Sequence, residues 1–320
     1  VRSKNEIIND TKRINIETPA LSGSINLKGA IIDDLILVKY NKKLNDNSKK
    51  ISLFSPDGTS NPYYFELGWR QLSNESIIVD LPNLETNWLS SSSNLTSKNP
   101  VTLSWTNKQN ITFKIIYEVD DNYLFNVSQI VENNSNNLIK IFPYRLIKRI
   151  NLPETINFFI LHEGLISHLD DKLVEKKYDD LLDDCSSTSN IKKLFCDQKS
   201  TGGWLGFTDK YWMATLIPDQ NKPINVNFRH GNNGRDSFRV GYVGEISEIQ
   251  SKKSDMYYGQ LFAGAKNLNI LNKYSKNGVP KFVDAIDWGW FSFLTKPISY
   301  SINWFYGYVG NFGLAIISFT

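Results

Sequence analysis

The sequence predicts a mainly β protein, an antiparallel sandwich or barrel, followed by helices at its C-terminal end. Apolar and polar residues alternate along many short segments, as they do in strands with one buried face. Clusters of asparagine, aspartate, glycine and proline separate these segments at the spacing of tight turns. Convincing helical spacing of apolar residues begins only near residue 266. The expected order is therefore a large β domain and then helices.

The N-terminal half contains the clearest strand pattern. Residues 1–20 are polar, and we expect them to be loose until a strand begins at Ile14. Residues 22–40 predict two strands that meet at Gly29. An antiparallel meander follows and comprises Val101–Trp105, Ile111–Val119, Tyr123–Val131 and Leu138–Phe142. This spacing is typical of a sandwich or barrel.

Residues 163–200 are the most polar interior stretch, and we expect a long excursion between strands there. A cluster of carboxylates within it predicts a solvated loop face: Asp179, Asp180, Asp183 and Asp184. Cys185 and Cys196 are the only cysteines, too few for a structural zinc site. They could form a local disulfide in an oxidising compartment or remain two free thiols, and their spacing favours neither.

Strand character returns after this stretch, and the first helix follows it. The strands are predicted at 203–207, 211–217, 225–228, 238–242 and 257–263, with a hairpin turn at 231–234. Lys266–Ser275 predicts a short helix, because Leu268, Leu271 and Tyr274 recur at helical spacing. Gly278 and Pro280 end it.

The three histidines are the natural candidates for catalysis or metal binding. His162 precedes Glu163, and His168 precedes two aspartates, but the spacing matches no HExxH pattern. We expect His162 and His168 to lie in exposed loop and His230 in a turn. We therefore predict no catalytic residues, no metal site and no cofactor. The net charge of +3, spread along the chain, also argues against nucleic acid as a partner.

The C-terminal region holds the most distinctive pattern, a helix with an aromatic and almost uncharged apolar face. Its apolar side includes Trp290, Phe291, Leu294, Ile298, Trp304, Phe305 and Tyr308. Ser292, Lys296, Ser299 and Asn303 gather on the other side. Such a stripe is typical of a helix in a membrane interface, although a core helix packed on the β domain has the same pattern.

An apolar run, Phe312 to Thr320, follows Gly310 and Asn311. It is about half as long as the roughly 20 residues that a membrane span needs. We interpret it as the start of a transmembrane helix that the end of the chain cuts. The expected division is a β sandwich at 1–265, a closing helix and linker at 266–278, an interfacial amphipathic helix at 279–309 and the severed span at 310–320.

These C-terminal residues resemble the bacterial YidC membrane protein insertases. The resemblance rests on Val283–Phe291 with Lys296–Pro297, on Trp304–Tyr306 and on Gly310–Ile317. Weaker matches follow in collinear order: Thr18–Ala30, Ser60–Tyr64 with Gly68–Trp69, Gly202–Trp204 with Tyr211–Pro218, and Leu261–Lys266. The junction between the periplasmic domain and the insertase core of that family has this pattern.

Several expectations follow from the resemblance alone. It implies a β-super-sandwich similar to galactose mutarotase, closed by a functionally important helix at Lys266–Ser275 that packs against the domain. The helix at about Trp288–Tyr308 would lie on the periplasmic surface of the inner membrane. The family inserts and helps to fold nascent inner-membrane proteins, alone or with SecYEG, and its periplasmic domain can contact SecDF. No enzyme activity is implied.

A rival function of another class is a carbohydrate-binding or mutarotase-like sugar-modifying module. Such chemistry needs a general acid and a general base that face the sugar across one cleft. A histidine opposite a carboxylate in a cleft would favour this rival.

Overall fold

The computed structural model describes residues 1–43, 48–153, 162–185, 196–289 and 291–319. The first ten strands are β1 Arg13–Glu17, β2 Leu21–Asn26, β3 Ile31–Asn41, β4 Lys50–Phe54, β5 Tyr63–Arg70, β6 Leu89–Ser90, β7 Asn94–Leu95, β8 Val101–Thr106, β9 Ile111–Val119 and β10 Leu124–Asn133. The others are β11 Ile139–Ile150, β12 Gly164–Leu169, β13 Lys172–Lys177, β14 Asp197–Thr201, β15 Trp204–Thr208, β16 Trp212–Pro218, β17 Pro223–Asn232, β18 Asp236–Val243, β19 Ser247–Ile249 and β20 Lys253–Ala265. The prediction of a mainly β fold is confirmed.

The strands form two large sheets. In the 11-stranded sheet the order is β14-β17-β18-β11-β5-β3-β2-β1-β7, with β19 beside β11 and β4 beside β3. In the 9-stranded sheet the order is β13-β12-β15-β16-β20-β10-β9-β8-β6. Apart from the parallel pair β1–β7, the strand pairs are antiparallel. This is the sandwich arrangement that the alternating segments predict.

The core lies between the sheets because the strands turn their apolar residues to the same side. In β9, Ile111, Phe113, Ile115, Tyr117 and Val119 are all buried, as their alternation predicts. Complete burial of such a side chain contributes about 1.5–3 kcal/mol. The Tyr117 hydroxyl also donates to the Ala30 carbonyl at 3.0 Å, which joins the two layers. Three of the four predicted meander strands, β8, β9 and β10, therefore lie side by side in the second sheet, whereas the fourth, predicted at Leu138–Phe142, is the start of β11 in the 11-stranded sheet.

The N-terminus is ordered, so the prediction of a loose segment is wrong. Helix α1 spans Lys4–Asn9 and begins with a capping box between Ser3 and Glu6. A capping box satisfies two backbone N–H groups that a helix start leaves free. Lys4 Nζ also contacts the Asp34 carboxylate at 2.7 Å and donates to the Phe54 carbonyl at 2.7 Å. Local capping and a tether to β3 and β4 thus hold this polar segment.

Residues 163–200 are predicted as a polar excursion, and this is wrong for residues 163–185, which the structure describes. They form the hairpin β12–β13 and helix α2, Tyr178–Asp184. Asp170 and Asp171 both have positive φ, 47° and 61°, which suits the two-residue turn of a tight hairpin. Asp179, Asp180 and Asp184 lie in α2 and not in a loop, and the side chain of Asp183 lies outside the described part.

Cys185 and Cys196 form a disulfide, with 5.6 Å between their Cα atoms. Both cysteines are fully buried. The Cys185 carbonyl accepts the His230 N–H at 2.9 Å, and the Cys196 carbonyl accepts an Arg229 N–H at 2.9 Å. The bridge therefore lies against β17, at the edge of the larger sheet. The residues between the cysteines, 186–195, lie outside the described part of the chain.

Three helices follow the β domain: α3 Leu268–Lys276, α4 Ser292–Val309 and α5 Phe312–Phe319. A 3₁₀ turn at Phe282–Ala285 lies between α3 and α4. Within the described residues, no helix is both long enough and apolar enough to cross a membrane. The predicted C-terminal helices are present, but α4 begins at Ser292 and not near Trp288.

Candidate functional site

Helix α3 closes the β domain through two of its predicted residues. Asn267 caps the helix, its side chain accepting the N–H groups of Asn269 and Ile270. Leu271 and Tyr274 are buried, and Leu268 is half-buried. The Tyr274 hydroxyl donates to Asp120 at 2.5 Å. Burial, and then the Asp120 carboxylate, raise the pKa of Tyr274, so the hydroxyl keeps its proton and this hydrogen bond.

The segment between α3 and α4 is anchored to the β domain and is not an extended helix. Val279, Phe282 and Ala285 are buried. The Phe282 ring lies 5.2 Å from the Phe262 ring and 5.4 Å from the Trp204 ring, edge to face in both cases. Such aromatic pairs add to the energy of burial. Phe282 therefore anchors the start of the C-terminal region to the second sheet.

Polar contacts orient α4 on this anchored segment. Lys296 Nζ lies 2.7 Å from the Asp284 carboxylate. The side-chain amides of Asn303 and Asn269 donate to each other at 2.6 and 3.3 Å, which ties α4 to α3. The Thr295 hydroxyl donates to the Trp288 carbonyl at 2.7 Å. The polar side of α4 therefore faces the protein.

The apolar side of α4 consequently faces outward. Phe293 is 77% exposed and Tyr308 is 74% exposed, and Phe291, Leu294 and Trp304 are each more than half exposed. Ile298 and Phe305 are half-buried. Trp290 lies outside the described residues. In a water-soluble protein a helix normally has the opposite orientation, with its apolar stripe on the core.

Helix α5 extends the apolar surface. Gly310 ends α4 with a φ of 65°, a conformation that glycine adopts without strain. The Asn311 side chain then caps α5 by accepting the Gly313 N–H at 2.8 Å. Phe312, Leu314 and Ile317 are each more than half exposed. We call the exposed apolar residues of 291–317 the apolar helix face. The single charged residue of α4 and α5, Lys296, lies on the opposite side and pairs with Asp284.

Two of the three histidines are not where the sequence predicted them. His168 lies buried on β12, stacked on Trp204 with 6.0 Å between ring centres. His230 lies on β17 and its Nε2 is 2.9 Å from Asp236. His162 is half-buried, and its Nε2 contacts the Leu165 carbonyl at 2.8 Å. The loop assignment of His168 and the turn assignment of His230 are wrong, because the neighbouring polar residues belong to hairpins. His162 does lie outside the strands and helices, as predicted, but is half-buried and not exposed.

One groove places a histidine near carboxylates, the arrangement that the sugar-modifying rival needs. His168 lines it with Asp170 and Asp171. However, Asp170 accepts the Ser200 hydroxyl at 3.0 Å, and Asp171 pairs with Lys281 at 3.4 Å. Burial, and then Lys281, lower the pKa of His168, which keeps the ring neutral. Among the described residues there is also no group of three or more metal-ligating side chains.

Sequence reasoning missed the two groups that orient α4. Asp284 and Asn269 lie outside the helix, 12 and 34 residues before their partners. The polar positions Lys296 and Asn303 were recognised, but their partners were not. Asp284 is the acidic residue of the 3₁₀ turn at Phe282–Ala285. An acidic residue shortly before a helix with a single lysine is the one sequence feature that could have indicated this pair.

Comparison with solved structures defines the class of fold. The galactose mutarotase related enzyme from Lactobacillus acidophilus superimposes with a TM-score of 0.52. The match covers 78% of this chain and 97% of that enzyme, at 9% sequence identity. The chain therefore has a mutarotase-like β-sandwich fold, as expected, with C-terminal helices added.

Comparison with sequences defines the family. The family model of the YidC periplasmic domain matches residues 13–301, so the chain belongs to that family. Membrane protein insertase YidC of Rickettsia bellii is 41% identical over 312 residues, which cover 96% of this chain and 54% of the relative. Membrane protein insertase YidC of Methylorubrum extorquens is 39% identical over 321 residues, which cover 99% of this chain and 52% of the relative. The chain thus spans about half the length of these relatives.

Proposed function

We propose that this chain is the periplasmic domain of a membrane protein insertase and that it rests on the periplasmic face of the bacterial inner membrane through α4. The orientation of α4 carries this proposal. Its polar residues contact Asp284 and Asn269 of the protein, and its aromatic residues point away from it. Tryptophan and tyrosine favour the boundary between headgroups and acyl chains, where an apolar body and a polar tip are both accommodated.

The apolar helix face supplies enough energy for reversible attachment. Full burial of a phenylalanine or leucine contributes about 1.5–3 kcal/mol, and burial at an interface contributes less. Phe291, Phe293, Leu294, Trp304 and Tyr308 are each more than half exposed. Their partial burial together gives several kcal/mol. Lys296 does not oppose this attachment, because it lies on the protein-facing side of α4, where it pairs with Asp284.

The divisions of the chain follow from the same arrangement. The β sandwich and the closing helix α3 form the body, and residues 279–289 attach the interfacial helix to it. We propose that α5 begins the membrane-embedded part, because Phe312, Leu314 and Ile317 lie exposed on a helix without charges. We place the boundary between the interfacial helix and the membrane-embedded part at residue 310, as predicted from the sequence, since Gly310 separates α4 from α5.

The activity of the whole protein is taken from the named relatives, which are membrane protein insertases. We propose that the complete protein inserts and helps to fold nascent inner-membrane proteins, alone or with the Sec translocon, and that SecYEG and SecDF are partners. In this scheme the described domain performs no chemistry. It is a body that holds α4 at the membrane surface, next to the start of the membrane-embedded part at α5.

A vesicle-binding experiment tests the attachment. The variant carries Phe293→Ser, Trp304→Ser and Tyr308→Ser, and it should bind phosphatidylethanolamine–phosphatidylglycerol vesicles at least about tenfold more weakly than the parent chain. The three side chains are exposed, so the free energy of unfolding should stay within about 1 kcal/mol of the parent value. Co-sedimentation measures the binding, and urea unfolding measures the stability.

The matched control replaces three exposed apolar residues of the β domain, Ile78, Leu89 and Met256, by serine. It removes a comparable exposed apolar area away from α4 and should bind vesicles like the parent chain. Equal losses in both variants would show that binding is unspecific. No loss in either would refute the assignment of α4 to the interface.

A further inference from the structure

The outer face of the 11-stranded sheet carries a row of cations on three adjacent strands. Lys148 on β11 pairs directly with Arg239 on β18, and Arg239 pairs directly with Arg229 on β17. Paired positions place Cβ atoms about 4.5–5.5 Å apart, and like charges directly opposite each other are destabilising. Arg229 has fold contacts of its own, with the Cys196 carbonyl and Asp197, but the repulsion between the three paired cations remains and favours an anion beside them.

The charges around the row do not neutralise it. Arg229 pairs with Asp197, and Arg70 lies over the Tyr144 ring at 4.9 Å. The Tyr144 hydroxyl donates to Glu66 at 2.9 Å. Four cations, from Lys148, Arg239, Arg229 and Arg70, thus face two carboxylates, from Asp197 and Glu66. The face keeps an excess of about two positive charges.

Arg239 is the cation with the least compensation. Its buried Nε has no hydrogen-bond partner among the described residues. Burial, and then the neighbouring Arg70 and Arg229, lower its pKa, although it stays protonated at neutral pH. A buried guanidinium N–H without an acceptor costs free energy, and an anion bound beside the same guanidinium would offset its uncompensated charge.

A hollow beside Arg239 gives a ligand room. Its volume is about 220 Å³, and Arg70, Tyr144, Asn227, Arg229 and Arg239 are among the residues that line it. One water molecule occupies about 30 Å³ of the liquid, so this volume is equivalent to several waters. Gly241 lies beside it, where a Cβ atom would come within 2.7 Å of the Arg145 carbonyl oxygen. A side chain there would disturb the backbone that supports the hollow.

We propose that this hollow binds a phosphate monoester, with Arg239 and Arg70 as the principal contacts and Arg229 at its side. Lys148 does not line the hollow but pairs with Arg239 on the same face of the sheet. Guanidinium groups bind phosphate oxygens through paired, charge-assisted hydrogen bonds. A phosphate monoester carries close to two negative charges at neutral pH, which matches the excess charge of this face better than a carboxylate does. The phosphate could belong to a soluble molecule or to a lipid headgroup.

Calorimetric titration of the whole chain at low ionic strength tests the site, with inorganic phosphate and glycerol 3-phosphate as soluble probes. We expect dissociation constants below about 1 mM and at least about tenfold weaker binding for Arg239→Gln. Arg70→Gln, at an exposed position that does not endanger folding, should also weaken binding. The control Arg2→Gln changes an exposed arginine that does not line the hollow, and this variant should bind like the parent.

Vesicles containing phosphatidic acid distinguish the two sources of phosphate. If the ligand is a lipid, Arg239→Gln should reduce binding to phosphatidic acid vesicles more than binding to phosphatidylglycerol vesicles. The parent chain should then bind the soluble probes only weakly. If the ligand is soluble, the variant should lose only the soluble probes. The proposal is wrong if the parent binds no probe at about 10 mM. It is also wrong if Arg2→Gln loses as much affinity as Arg239→Gln and Arg70→Gln.

Discussion

Replacement of Phe282 by alanine should release the C-terminal helices while the sandwich stays folded. Phe282 is fully buried among Phe262, Trp204 and Tyr274, with ring centres 5.2, 5.4 and 6.4 Å away. Loss of a buried phenylalanine costs about 3–5 kcal/mol. The polar ties of α4 are weaker, because the partly exposed Lys296–Asp284 pair contributes about 0.2–1 kcal/mol and each exposed amide hydrogen bond about 1 kcal/mol.

Hydrogen exchange of the backbone amides measures this release directly. The free energy of local opening should fall by about 3 kcal/mol or more in segment 279–289, which accelerates exchange there by at least about a hundredfold. Amides of β9 and β10 should keep their protection, because Phe282 lies at the end of the domain and not in the centre of the meander. Phe293→Ala removes the same atoms from an exposed ring and should change neither region.

Two results would refute this reasoning. Unchanged exchange in segment 279–289 would mean that the polar ties of α4 suffice to hold it. Equal loss of protection in β9 and in segment 279–289 would mean that Phe282 belongs to the main core. In that case the anchored segment and the sandwich unfold as one unit, and α4 has no independent hinge.

Three further measurements follow from the described geometry. Replacement of Cys185 and Cys196 by serine opens a loop with a sequence separation of 11 residues, and the chain-entropy estimate is a loss of about 3 kcal/mol. An unchanged urea midpoint would contradict it. Because burial lowers the pKa of His168 in the folded state, the unfolded chain binds more protons, and stability should fall as the pH drops below about 6.5. His168→Gln should reduce the dependence of the free energy of unfolding on pH in this range. An equal dependence in the variant would exclude His168 as its source. Polarimetry should detect no acceleration of galactose mutarotation, since Asp170 and Asp171 beside His168 already have partners, and measurable turnover would favour the sugar-modifying rival.

The parts of the fold that the sequence predicts are those with one buried and one exposed face. β9 and β10 alternate along their length, so local pattern is sufficient for them. β12 is buried at every position and therefore has no alternation to detect. Its charged neighbours on β13 made the hairpin look like a loop, and the Asp170–Asp171 turn has no glycine to mark it.

The cation row is out of reach of sequence reasoning for a different reason. Lys148 and Arg239 are far apart in the chain, and only the register of β11 with β18 brings them together. Register depends on the whole sheet, and a shift of one residue would turn Arg239 to the other face. In the sequence the basic residues are scattered and the net charge is small. In the folded sheet, four cations lie on one face.

The orientation of α4 has the same origin. Amphipathicity divides a helix into two faces but does not say which face meets the protein, so a core helix and an interfacial helix share one pattern. The positions of Asp284 and Asn269 decide between them, because Lys296 and Asn303 find their partners there. Once the polar residues are held on the inner side, the aromatic residues have no protein surface to cover. The attachment of the α4 polar side is therefore what makes its apolar side available to a membrane.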